Sequence, residues 1–328
     1  MKHDELSKAF PPQLTDAVVK EQLPALQRSL ASHLSDVAAE AALAAASPDR
    51  RAVLRSVSCH PAASWLTAKP TCPTLVLGNP AFRAAVRRRL HVPCLPTAGP
   101  CSDCVCGQKA AEIGPDHALN CPNVWGLTVS RHDELAKAVR DALSRAGATT
   151  SLEPHLSAFA GNPAARAAAQ RYRKEGEEAR GDVLCTLGGE QMIIDVSVTN
   201  PLSASYVGAA AERAGAAAQK RDETKTAAYA AREDSGYKFI PFSVETHGRL
   251  GLPAMALLGQ LGSAASEASL GAFSKTQFVN GVLQQLSAVL NKYNSRMEAS
   301  VAGFVLRHPG REWRRPCAAT SREIGQGL

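Results

Sequence analysis

The spacing of apolar and polar positions divides the chain into stretches of different period. Residues 1–50 are Ala-rich with a helical period, broken at Pro11-Pro12 and closing near Ser47-Pro48. Residues 51–100 carry Pro61, Pro70, Pro73, Pro80, Pro93, Pro96 and Pro100, which excludes one long helix and predicts short elements with one helix near 80–90. After a cysteine-rich segment, Leu135, Val139, Ala142, Leu143 and Ala146 form one apolar stripe. Ser130 reads as its N-cap, with Asp133 as a capping-box acid, and Gly147 as its end. A short strand is expected over Thr149–Glu153, then a polar, Ala-rich run to Arg180.

Two apolar runs flank Gly188-Gly189, a hairpin signal. Met192, Ile194, Val196 and Val198 make the second an interior strand. A helix is expected over Val207–Glu233, a last strand over Lys238–Glu245, more helix over 263–300, and a basic tail over 305–328. The pattern predicts an α/β fold: a small mixed sheet flanked by helices, after a mostly helical N-terminal region. The expected divisions are 1–100, a helical connector; 101–123, a metal-binding knuckle; 124–262, the α/β domain; and 263–328, a helical extension and tail. Lys2-His-Asp-Glu-Leu and Arg131-His-Asp-Glu-Leu match locally, but the likeness is too short to be a repeat.

Composition sharpens this picture. Of 328 residues, 45% are apolar but only 5% aromatic, so the core leans on Ala and helix. The formal charge of +7 suits a polyanionic partner. Basic residues cluster at Arg87, Arg88 and Arg89, and again at Arg307, Arg311, Arg314 and Arg315, where Trp313 can stack on a base. No secretory signal and no run of about 18 apolar residues is visible, so no membrane partner is expected. The nine cysteines are then metal ligands or core residues in a reducing compartment.

The cysteines gather as Cys101-Ser-Asp-Cys104-Val-Cys106-Gly, followed by His117-Ala-Leu-Asn-Cys121. Zinc takes four N or S ligands in a tetrahedron. A tight turn at Gly107 supplies two, and His117 and Cys121, four apart, supply two more. The best set is Cys104, Cys106, His117 and Cys121, with Cys101 as a competitor for Cys104 or Cys106.

A second constellation is acidic. If Gly188-Gly189 are the two turn residues, cross-strand partners have numbers summing to a constant, and Asp182 faces Asp195. Opposed carboxylates repel unless a cation lies between them, and Mg²⁺ sites use one or two carboxylates with water and phosphate. Nucleases of the PD-(D/E)XK type place one acid at a strand end, then an acid and a lysine two apart on the next strand, on one face. Here the lysine position holds Ser197, so a lysine must come from elsewhere; Lys220 and Lys225 are on the following helix. Glu245 lies near the same sheet edge.

Several ordered segments carry a resemblance. They are Ile194-Asp-Val-Ser-Val-Thr-Asn-Pro201, Lys225-Thr-Ala-Ala-Tyr229, Phe239-Ile-Pro-Phe-Ser-Val-Glu-Thr-His-Gly248, the Cys104 to Cys121 segment, Arg131-His-Asp-Glu and Ser58-Cys-His-Pro-Ala-Ala-Ser-Trp-Leu66. Over about residues 50–300 the chain resembles the C-terminal zinc knuckle and restriction-like endonuclease of non-LTR retrotransposon reverse transcriptases. The resemblance implies a DNA endonuclease that nicks a target so that the free 3′ end primes reverse transcription. It implies Asp182 and Asp195 as ligands of Mg²⁺ or Mn²⁺, Lys225 as the helix-borne lysine with Lys220 second, and Glu134 or Glu245 as a further acid. It also implies Arg131 and His132 at the site or on the DNA backbone, double-stranded DNA and element RNA as partners, and a nuclear setting.

The chain departs from that pattern at Gly181, where proline is usual, and at Ala228, where a second lysine is common. No Asp-Asp pair of a polymerase palm occurs, so the chain is expected not to copy RNA and to be a separated piece of such a protein. The competing reading is a nuclease fold that has lost activity and is kept for nucleic-acid binding or as a scaffold.

Overall fold

The computed structural model describes residues 16–92, 104, 106, 108, 116–154, 181–229 and 237–307. Two units are distinguished, Met1–Ser47 and Pro48–Leu328. In the first, α1 (Asp16–Ala45) is one continuous helix. Pro48, at the first position of the next helix, begins the second unit, where its missing N–H leaves no orphan donor.

The second unit is mixed α/β. Its connector holds α2 (Pro48–Val57), α3 (His60–Ala63) and α4 (Asn79–Arg89), as the proline spacing predicts. The core holds α5 (Trp125–Arg145), β1 (Thr149–Leu152), β2 (Val183–Leu187), β3 (Glu190–Thr199), α6 (Val207–Glu212), α7 (Ala216–Tyr229) and β4 (Lys238–Glu245). Two long helices, α8 (Leu252–Ala268) and α9 (Lys275–Arg307), complete it.

The sheet runs β1-β2-β3-β4, the first three strands antiparallel and β4 parallel to β3. Gly188 and Gly189 both have positive φ, +57° and +86°, as a two-residue hairpin of the primed type requires. That turn sets Leu187 opposite Glu190 and Val183 opposite Ile194. One more step puts Asp182 opposite Asp195, the register the sequence predicts. Strands β3 and β4, being parallel, need a crossover, supplied by α6 and α7.

The sheet has two unlike faces. Met192, Ile194, Val196, Phe242 and Val244 enter one apolar core with Leu135 and Leu143 of α5, Leu257, Leu258 and Leu261 of α8, and Leu283 and Leu290 of α9. Each such large side chain contributes about 1.5–3 kcal/mol by leaving water. The other face carries Asp195, Ser197, Thr199, Ser243 and Glu245, all buried. Helix α7 packs on β3 and β4 there, presenting Ala216, Ala217 and Ala218, whose small side chains admit a close approach.

Two expected boundaries move. Helix α5 starts at Trp125, one residue past a Pro122–Val124 turn, and Ser130 is inside it, its hydroxyl donating to Gly126 O. The N-cap reading failed because serine also satisfies itself within a helix. The helix expected over 207–233 is two helices, parted at Arg213, which is extended, and Gly215 at φ +78°.

Candidate functional site

Cys104, Cys106, His117 and Cys121 converge, their ligand atoms all within 4.8 Å of one another. Cys104 Sγ is 3.5 Å from Cys121 Sγ and 3.1 Å from His117 Nε2, and Cys106 Sγ is 3.3 Å from His117 Nε2. A zinc tetrahedron with bonds of about 2.0–2.3 Å has edges of roughly 3.5–3.8 Å, so the set fits a metal such as zinc. It is the ligand set expected from sequence; Cys101 lies outside the described residues. Backbone geometry prepares it: Cys104 N donates to Gln108 O at 2.9 Å, and Asn120 N donates to His117 O at 3.0 Å. Burial pushes the Cys104 and Cys121 thiols up and His117 down. The neutral imidazole is the form that ligates, and a metal would displace the thiol protons. Ala118, Leu119, Cys121 and Val124 pack against Met297 and Val301, anchoring the cysteine segment on α9.

The acidic pair lies at the mouth of the hairpin. Asp195 is 5% exposed. Lys225 Nζ donates to its carboxylate at 2.7 and 3.0 Å. Burial raises the Asp195 pKa, Lys225 opposes the rise, and Asp182 adds to it. Asp182 accepts from Val196 N at 2.6 Å. His132 Nε2 approaches Asp182 Oδ2 at 3.2 Å and Val196 O at 3.0 Å, while Nδ1 is 3.1 Å from Asp133. The Asp182 hydrogen bond outweighs burial and raises His132 to about 9, so the ring is cationic at neutral pH. Each carboxylate is thus held by one cation.

Helix α7 aims Lys225 inward. Tyr229, one turn on, stacks on Phe239 of β4 with centroids 4.0 Å apart. Lys220 points elsewhere: its Nζ donates to Ser205 O at 3.2 Å and lies over the Tyr206 ring. Of the two candidate lysines, Lys225 alone reaches Asp195. Glu245 is not beside the pair either. It is level with Thr199, whereas Asp195 is level with Pro241, a separation of about 13 Å along the strand. Its carboxylate is buried, accepting from Ser56 Oγ at 2.5 Å and Ala218 N at 3.3 Å, which ties α2 and α7 to β4. Glu134 pairs with Lys137 at 2.8 Å on the exposed side of α5.

The expected nucleic-acid residues divide. Arg131 is 3% exposed, and its Nη1 donates to Asn294 Oδ1 at 2.7 Å. Arg88 is 4% exposed, bonded to Glu298 and, at 2.8 Å, to Asn291 Oδ1. Both heads are held inside by these partners as struts. Burial lowers the Arg131 pKa to about 10, and neighbouring Arg88 adds to this. Arg89 is half-buried, over Ala62 O at 3.4 Å. Arg87 is exposed and, with Lys292 and Arg296, lines a groove of about 310 Å³ between α4 and α9. His132 is at the acidic pair. Arg314 and Arg315 lie outside the described residues.

Sequence reasoning missed three features. Asn291, Asn294 and Glu298 on α9 receive Arg88 and Arg131, and Asn294 Nδ2 also donates to Thr246 O at 2.8 Å. Asp116, beside His117 of the cysteine cluster, faces His247 at 2.6 Å in the interior. Asp222 of α7 is 5% exposed, and neither oxygen has a hydrogen-bond partner of good geometry. Its spacing from Lys225, three residues on one helix, was the one available signal for a shared inward face. Among the described residues no helix is long and apolar enough to cross a membrane. The chain matches no protein-family model and no curated protein sequence.

Proposed function

We propose that the chain is a metal-dependent DNA endonuclease of the restriction-like kind, nicking a target as the nuclease part of a retroelement protein. The observation that carries this reading is the acidic pair: Asp182 just before β2 and Asp195 on β3, opposed across the hairpin, with Lys225 2.7 Å from Asp195. The donor set suits the metal expected, since two carboxylates are hard oxygen ligands of the kind Mg²⁺ and Mn²⁺ prefer. When bound, such an ion would neutralise charge on the scissile phosphate and lower the pKa of a water.

The chain's own residues have separate tasks. Asp182 and Asp195 would hold such an ion, and Val196 N fixes the Asp182 carboxylate. Lys225 carries a positive charge at the point where negative charge develops on the phosphate. His132, held cationic, orients Asp182 and adds a donor. The cysteine set would take a structural zinc ion. Exposed bases such as Arg87 and Arg296 would contact double-stranded DNA or element RNA through phosphates, and a retroelement role would imply a nuclear setting.

One observation favours the second reading, a fold kept only for binding. Both acids are already held by protein cations, and Ser197 stands where such nucleases carry lysine. Nicking of supercoiled plasmid by the purified chain with Mg²⁺ or Mn²⁺ decides. Nicking that disappears in Asp182→Ala/Asp195→Ala, with DNA binding kept, supports the enzyme. Salt-sensitive binding without nicking in either metal gives the second reading.

A further inference from the structure

Where α8 gives way to α9, one residue works against stability in two ways. Helix α8 ends at Ala268, and the residue held in the left-handed conformation just beyond it is Leu270, at φ +50°. Glycine is usual at such a position, since a Cβ there crowds the backbone. The turn is nonetheless firmly hydrogen-bonded: Leu270 N donates to Glu267 O at 3.0 Å, Gly271 N to Ser266 O at 2.9 Å and Ala272 N to Ser269 O at 3.0 Å. The same Leu270 is 96% exposed, and Phe273, three residues on, is 63% exposed. A strained backbone and a bare apolar surface thus coincide at one leucine. Strain that the surrounding structure holds in place points to function, and grouped apolar side chains in solvent mark a contact surface.

A groove opens beside this knob. It encloses about 470 Å³ between α8, α9 and the end of α5, with Ala265, Ala268, Phe273, Phe278 and Gly281 in its lining and Arg145 beside them. A Cβ on Gly281 would meet nothing within 4 Å, so open space stands over that part of α9. The Arg145 guanidinium lies over the Phe278 ring, 5.7 Å from its centroid, and donates to Gln285 Oε1 at 3.1 Å. Phe273 belongs to the knob and lines the groove as well, so the two share one surface. We propose that a second copy of this chain covers that surface, each copy's Leu270 entering the other's groove about a two-fold axis. A two-fold contact requires one patch to carry both halves of the fit, since residue i meets j wherever j meets i. A foreign partner would need only one half. The charges agree: Glu267 and Lys275, both exposed, bracket the turn, so a two-fold copy offers a base to each acid. Burial of Leu270 in the pair offsets its strain, and the hydrogen-bonded turn presents it already ordered. The proposal is independent of the endonuclease reading.

The test is sedimentation velocity of the purified full chain at concentrations up to about 100 μM, for wild type, Leu270→Gly and Gly281→Leu. Leu270→Gly relaxes the turn, and Gly281→Leu puts a better helix former on α9 with its Cβ in open space. Both should therefore keep the wild-type circular dichroism spectrum. Wild type should sediment as a dimer, and each variant should dimerise at least about 30-fold more weakly, as when a central anchor is lost. An equimolar mixture of the two variants should associate more tightly than either alone, because the intact Leu270 of one meets the open groove of the other. A local effect on folding would not give that rescue, and its absence overturns the pairing of knob with groove. A wild type that stays monomeric at about 100 μM overturns the proposal. So do variants that dimerise like wild type, and so does association that runs on into open chains.

Discussion

Lys225 lies 2.7 Å from a carboxylate that is 5% exposed, so its removal leaves a buried acid without its cation. Lys225→Ala is expected to slow nicking roughly 10²–10³-fold, as when one stabilising donor is lost, whereas Lys220→Ala should leave the rate unchanged. Equal losses in the two variants would refute the assignment. His132 makes a pH prediction. Its folded pKa of about 9 lies above the unfolded value of about 6.5, so its stabilisation is complete below pH 6.5 and is lost as pH rises through 9. In metal-free buffer the Tm of wild type should decline between those values, and that part of the decline should vanish in His132→Gln. Gly251 matters by what it lacks. Gly251→Ala drives a methyl into Asp222 and is expected to lower stability by about 1–3 kcal/mol in urea titrations. The same change on an Asp222→Ala background should do much less, and additive effects would mean the two positions are uncoupled.

At the scale of elements, the hairpin was readable and the helices' inward faces were not. Gly188-Gly189 fixes register by itself, because a two-residue turn with positive φ at both positions permits only one pairing. Asp182 and Asp195 followed from that without any long-range information. The candidate metal ligands were equally local, all four lying between residues 104 and 121. Arg131 and Arg88 were misread because their partners Asn294 and Glu298 are on a helix more than 150 residues later, and an arginine beside polar neighbours reads as surface until that helix is placed. Asp222 was hidden in the same way: an Ala-rich helix with charged residues looks solvated until β4 and the start of α8 enclose it. The strut α4–α9 yields its own expectation. Burial raises the Glu298 pKa even with Arg88 against it, so Arg88→Met should cost about 3–5 kcal/mol by leaving that acid unpaired. A loss below about 1 kcal/mol in chemical denaturation would show the pair to be replaceable.

Across the second unit, the knuckle and the sheet are joined through α9. Met297 and Val301 receive the cysteine segment, while Asn294, one turn away, holds Arg131 of α5, the residue next to His132. With zinc loaded on the cysteine cluster, its removal by a chelator should therefore raise amide exchange around residues 294–301 before the sheet itself exchanges. Unaltered exchange there would mean that the knuckle is a passenger. DNA binding should weaken linearly in log–log plots against salt, with a slope set by the number of phosphates contacted.

The parallel pairing of β3 with β4 has a consequence in time as well as in space. The strands that bring Asp182 to Asp195 are joined by two residues, whereas Lys225 waits for the crossover and His132 for a helix some 50 residues upstream. Hairpins close in about 1–10 μs, and contacts of long sequence separation form later. On that ground the two carboxylates meet early in folding, before either protein cation arrives, and a divalent ion in solution is their first available partner. Mg²⁺ should then speed the early folding phase in stopped-flow refolding of the wild type and leave that phase unaffected in Asp182→Asn.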